Sequence, residues 1–129
     1  MAPLHLLKKT VMNQSPDLFR LPSSERYVTA VKAIKASQAI YTLADEAGCF
    51  ILSTGTTNAL PVWTDEAQAQ AWQQKESGEF QILAIEASTL KEKWLPGMAN
   101  DGFQIAVIPN LAGECIVLDA DEFLQDLNA

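Results

Sequence analysis

The apolar and polar positions along the 129-residue chain change period several times, and each change marks an element. Over residues 22–37, Tyr27, Val28, Val31 and Ile34 recur at helical spacing, with Arg26, Lys32 and Lys35 turned mainly to solvent. Ser23 and Ser24 stand where a serine oxygen accepts from the unpaired amides of a first turn. From Gln38 the period becomes that of strands: residues 40–43 are β-favouring, 45–48 form a turn, and 49–52 are continuously apolar, which predicts a β-hairpin. The loop over 53–59 follows, with Gly55 as its pivot.

The stretch LPVWTDEAQAQAW, residues 60–72, is a strand running into a helix. Pro61 lacks an amide donor, which places it at a strand start or an edge. Thr64 is the expected cap, Asp65 and Glu66 occupy the first turn, and Ala67, Ala71 and Trp72 form the inward face, with Gly78 ending the helix. Residues 80–85 form a strand, after which Thr89 and Glu92 have capping-box spacing for a helix carrying Leu90, Trp94 and Met98. Pro96 removes a helical hydrogen bond, so a break is expected at Leu95, with Gly102 closing a second short helical turn. Residues 103–108 and 115–118 read as a second hairpin around the turn 109–113, and Asp119 with Glu122 opens a terminal helix whose apolar side is Phe123, Leu124 and Leu127. The expected architecture is one α+β domain over 17–129. It has a mixed sheet of about six strands, two hairpins plus a βαβ-like crossover, packed with about four helices. Residues 1–16 form an N-terminal extension, flexible or loosely docked.

Charge narrows the range of partners. The net charge is -7, and Lys93 is the last basic residue, followed by Asp101, Glu114, Asp119, Asp121, Glu122 and Asp126. Nucleic acid and anionic membranes are bound through Lys and Arg, so both are disfavoured. An acidic surface fits a basic protein partner, or serves solubility alone. Cys49 and Cys115 lie in apolar runs without CxxC spacing and read as reduced core thiols. With no signal-peptide order at the N-terminus and no run of roughly 20 apolar residues, a soluble cytoplasmic protein is expected.

Candidate chemistry is sparse. His5 is the one histidine, and it lies in the N-terminal extension. No phosphate-binding glycine motif or nucleophile elbow is present. Asp45 with Glu46, Asp65 with Glu66, and Asp119 with Asp121 and Glu122 read as turn and capping carboxylates. No catalytic residue, metal ligand or cofactor is therefore assigned. Trp63, at the mouth of a strand beside Thr64 and Asp65, is the residue most suited to a half-exposed binding position. Trp72 and Trp94 read as core, with losses of about 3 to 5 kcal/mol on change to Ala and less for Trp63.

Five runs together carry a resemblance: ERY at 25–27, YTLADEAGCFIL, LPVWTDEAQAQAW, LKEKWLPGMANDG and FQIAVIP. The chain resembles the bacterial family catalogued as domain of unknown function 2750 over about residues 20–127, and PVWTDE alone is also similar to the helix entry of SseB-type N-terminal domains. The resemblance implies no activity, cofactor or catalytic residue. The expected function is non-catalytic protein binding, immunity-like or inhibitor-like toward a basic partner. The alternative is a small-molecule site or weak enzyme using carboxylates near Trp63 and Asp65. Self-association through the edge strand at Pro61 is a further possibility.

Overall fold

The computed structural model describes residues 19–53, 55–76 and 79–129; the extension expected over 1–16 and the helix stop expected at Gly78 lie outside them. Helix α1 (Ser23–Lys35) leads into β1 (Ile40–Asp45), β2 (Gly48–Cys49), β3 (Leu52–Ser53) and β4 (Asn58–Val62). Helix α2 (Glu66–Lys75) and β5 (Gln81–Ile85) follow. An interrupted helix, α3, passes from Ala87–Thr89 through a π-helical turn, Leu90–Trp94, into Leu95–Asp101. The last elements are β6 (Gln104–Val107), β7 (Ile116–Asp119) and α4 (Ala120–Asn128).

The strands form two sheets, β2-β1-β5 and β3-β4-β6-β7, in which only the β4–β6 pair is parallel. The α+β class and the mixed pairing are as the sequence predicts. The crossover is different: β5 joins β1 instead of β4, so the connection between the parallel strands β4 and β6 carries α2, β5 and α3.

Pro61 shows how the sheets meet. Both Trp63 backbone groups bond to Tyr41, at 2.8 and 2.7 Å, while β3 pairs with β4 at Asn58 and Ala59. Successive strand residues face opposite neighbours, so Pro61 falls between these two attachments, where an amide has no backbone partner. Its carbonyl accepts instead from the buried Thr42 hydroxyl at 2.7 Å. Pro61 is therefore buried late in an interior strand, and the expectation of a strand start or an edge is corrected.

Helix starts also depart from expectation. At α1 the N-cap is Pro22 and no serine side chain caps it; the Pro22 carbonyl accepts from the amides of Glu25 and Arg26. The buried face is Arg26, Ala30 and Ile34, with Tyr27 and Val31 partly buried against the core; Val28, at 49% exposed, leaves the expected stripe, and Arg26 and Ala30 join it. At α2 the cap is Asp65, not Thr64: Asp65 Oδ1 accepts from the Ala67 amide at 3.0 Å, and Gln68 Oε1 accepts from Asp65 at 3.2 Å. The buried face of α2 is Gln68, Ala69 and Trp72. Thr89 is helical and is not a cap. The predicted break at Leu95 is a π turn, in which the Leu95 amide donates to Leu90 five residues back. This widened turn accommodates the missing donor and the ring of Pro96 without ending the helix.

Helices α1 and α4 pack through Tyr27, whose ring meets Phe123 edge-on at 5.8 Å and whose hydroxyl donates to the Asp126 carboxylate. Burial, followed by the Asp126 hydrogen bond and charge, pushes the phenol well above its ordinary value of 10.0. The folded state then holds this proton more tightly than the unfolded state, so the contribution is complete below pH about 10 and is lost as pH rises beyond it. Urea midpoints of the wild type are expected to fall above pH 10 more steeply than those of Tyr27→Phe; parallel curves would show that Tyr27 does not carry this dependence.

Candidate functional site

The three residues singled out beforehand do not converge on one surface. Trp63 is fully buried, not half exposed, and its indole donates to the Pro109 carbonyl at 3.1 Å. The Trp72 indole donates to the same oxygen at 3.0 Å, with the two rings 5.8 Å apart. Asp65 is exposed and is used as the α2 cap, and the half-buried Thr64 gives its amide to Gln68. Gln68 is itself buried, with Oε1 occupied twice and no partner for Nε2 among the described residues.

The residue before Pro109 explains why so many donors gather here. Ile108 has φ 50, a left-handed conformation that a β-branched side chain adopts only at a cost on the order of 1–3 kcal/mol. Its amide bonds to Val62, and its carbonyl accepts from Arg26 Nε at 2.9 Å. Arg26 is 2% exposed, which corrects its expected place in solvent. Its remaining donors reach the carbonyls of Phe19, Leu21 and Glu114 and the Ser23 hydroxyl. A guanidinium and two indoles thus hold the consecutive carbonyls of Ile108 and Pro109 and fix the root of the β6–β7 loop.

The feature best suited to a ligand lies elsewhere, along α3. A solvent-facing cleft of about 380 Å³ is lined by Cys49, Ile51, Leu60, Trp94, Gly97, Met98, Asp101 and Phe103. Trp94, Met98 and Asp101 lie at i, i+4 and i+7 on one helix face. A π turn carries one residue more than an α turn, so Leu90–Trp94 resets which face of the following segment meets the strands. Gly97 adds no side chain, and a Cβ placed there would meet nothing within 4 Å. Cys49 is half-buried instead of sealed in the core, and burial raises its thiol pKa. It is held as a neutral thiol, suited to packing and poor as a nucleophile.

Sequence reasoning missed this cleft because its lining comes from separate segments. The available signal was the Trp94–Met98 spacing, read as core; Trp94 and Met98 are only partly buried. Among the described residues, no group of three or more His, Cys, Asp or Glu is placed to hold a metal ion, and no helix is long and apolar enough to cross a membrane.

Fold and cleft define a small α+β domain with an open, mostly apolar cleft along α3. The chain belongs to the family described as protein of unknown function, DUF2750, whose model matches residues 27–127, nearly the whole of the described domain. No curated protein matches it in sequence.

Proposed function

We propose that the protein is a non-catalytic binding module that takes an apolar side chain of a basic partner protein into the α3 cleft. The cleft carries this reading: its lining is aliphatic, aromatic and sulfur-containing, with one carboxylate, Asp101. Met and Trp provide polarisable, adaptable contact area, and buried apolar anchors ringed by polar residues dominate binding energy at protein interfaces. Asp101 and the chain's net charge of -7 favour a lysine or arginine next to that anchor and speed its approach at low salt. An inhibitor-like or immunity-like role toward a basic partner is one form of this activity.

The test is affinity capture from a native lysate with the wild type and with Met98→Asp, at low and high salt. A basic partner recovered by the wild type at low salt, and lost both in the variant and at high salt, is the expected result. Recovery of the same proteins by both forms would count against the cleft. A second reading, a small apolar molecule in the same cleft, is favoured by its volume, which falls within the roughly 300–1,000 Å³ of ligand pockets. A molecule present at 100 times its dissociation constant would stabilise the wild type by about 2.7 kcal/mol and leave Met98→Asp unmoved.

A further inference from the structure

Strand β5 is the outer strand of the β2-β1-β5 sheet, and among the described residues no strand pairs with its far side. Which of its groups are free follows from β1. Tyr41 bonds to Trp63 and the Leu43 carbonyl accepts from Phe50, so both face away from β5. Alternation then turns Ile40, Thr42 and Ala44 toward β5, opposite Ile85, Leu83 and Gln81. The N–H and C=O groups of Ile82 and Ala84 are left pointing outward. At the Phe80 end this edge is closed, because the Gln73 side chain donates to the Phe80 carbonyl at 2.6 Å.

Edges of this kind are normally blunted by shortness, charge, proline or a bulge. Strands β2 and β3 have two residues each, but β5 is five residues long, QILAI, with no charge and no proline, and its Leu83 is 37% exposed. Beside it lies an open depression of about 660 Å³ lined by Ala44, Asp45, Glu46, Ala47, Glu79, Gln81, Ile82 and Leu83. Three of those residues are carboxylates, and no lysine or arginine is among them. Asp45 accepts from the amides of Ala47 and Gly48 through Oδ1, which ties it to the β1–β2 turn, so Glu46 and Glu79 are the carboxylates best able to turn toward a ligand.

We infer that β5 is an augmentation edge for an extended, lysine- or arginine-bearing segment of a partner protein. The segment adds a strand through the outward groups of Ile82 and Ala84, its pairing ends where Gln73 closes the edge at Phe80, and only its long basic side chains reach past that point to Glu46 and Glu79. Backbone pairing supplies affinity and the carboxylates select for charge. This inference rests on the protein-binding reading and gives it a second surface, separate in its lining from the α3 cleft.

The test uses the full chain and a synthetic nine-residue peptide of alternating lysine and valine, with a glutamate–valine peptide as the comparison. Amide hydrogen exchange is expected to slow at least about ten-fold at Ile82 and Ala84 with the lysine peptide, in line with a newly paired strand, and to be unchanged with the glutamate peptide. Ala84→Pro removes one outward donor without touching the β1 ladder, and Glu46→Lys with Glu79→Lys reverses the charge. Each is expected to weaken peptide binding at least about ten-fold, as losing a strand hydrogen bond or the charge match requires. Equal protection by both peptides, or none at Ile82 and Ala84 with millimolar lysine peptide, overturns the inference. Perturbation confined to Cys49, Met98 and Phe103 also overturns it while leaving the cleft reading intact.

Discussion

Arg26→Ala is expected to destabilise the protein by about 3 to 5 kcal/mol, a large share of the roughly 5 to 15 kcal/mol typical of a domain. The side chain is buried and donates to the carbonyls of Ile108 and Glu114 at 2.9 and 2.7 Å, with further bonds to Phe19, Leu21 and Ser23. Removing it strands a buried carbonyl on Ile108, the residue already held at φ 50. Each lost bond to a charged donor is worth about 1.5–3 kcal/mol, and the strain at Ile108 would then lack its main restraint. Arg26→Lys is expected to recover only a minor part, because one ammonium cannot span acceptors that a planar five-donor fork reaches together. Urea denaturation measures both. A loss below about 1 kcal/mol for Arg26→Ala would show that the loop root holds without the guanidinium.

Trp63→Ala is expected to cost about 3 to 5 kcal/mol, equal to Trp72→Ala within error, because both indoles are almost completely buried. This reverses the order expected from sequence, where Trp63 was the tolerant position. Trp94→Ala should cost less than either, since its side chain is only partly buried and lines the open cleft. Trp63→Phe separates packing from hydrogen bonding. Because Trp72 still donates to the Pro109 carbonyl, losing the Trp63 N–H leaves no orphaned acceptor, and the cost should stay below the usual 1 kcal/mol or so for a hydrogen bond. Thermal or urea unfolding of the four variants gives the comparison. A Trp63→Ala cost near that of a surface change would contradict its place in the core.

What could be read from the sequence was what local periodicity and capping chemistry encode. The α+β class, the two hairpins, the Asp119–Glu122 helix start and a disturbance before Pro96 are all local in origin. The errors arose where the deciding partner is backbone far along the chain. Arg26 reads as solvent-facing in sequence because two of its acceptors are carbonyls, which have no sequence signature and lie 82 and 88 residues away. A local signal exists: Arg26 stands four and eight residues before Ala30 and Ile34, on one helix face. Pro61 reads as a strand start or an edge because the missing donor is visible in sequence, whereas the gap between β3 and the Trp63–Tyr41 bridge is a property of the assembled sheets. The candidate Trp63, Thr64 and Asp65 proved to be a core indole, a linker and a cap. The cleft that replaces it draws its lining from β2, β4, α3 and the residues next to them, and no single window of sequence contains it.

The gathering of donors at Ile108 and Pro109 also bears on the order in which native contacts become available during synthesis. Arg26, Trp63 and Trp72 precede the carbonyls that receive them by 82, 46 and 37 residues, and β4 likewise precedes its parallel neighbour β6. Until then a nascent chain holds a charged guanidinium and two large indoles without their native acceptors. Contacts of this sequence separation favour late, cooperative closure, which the emergence of β6 and of the Ile108–Pro109 pair makes possible.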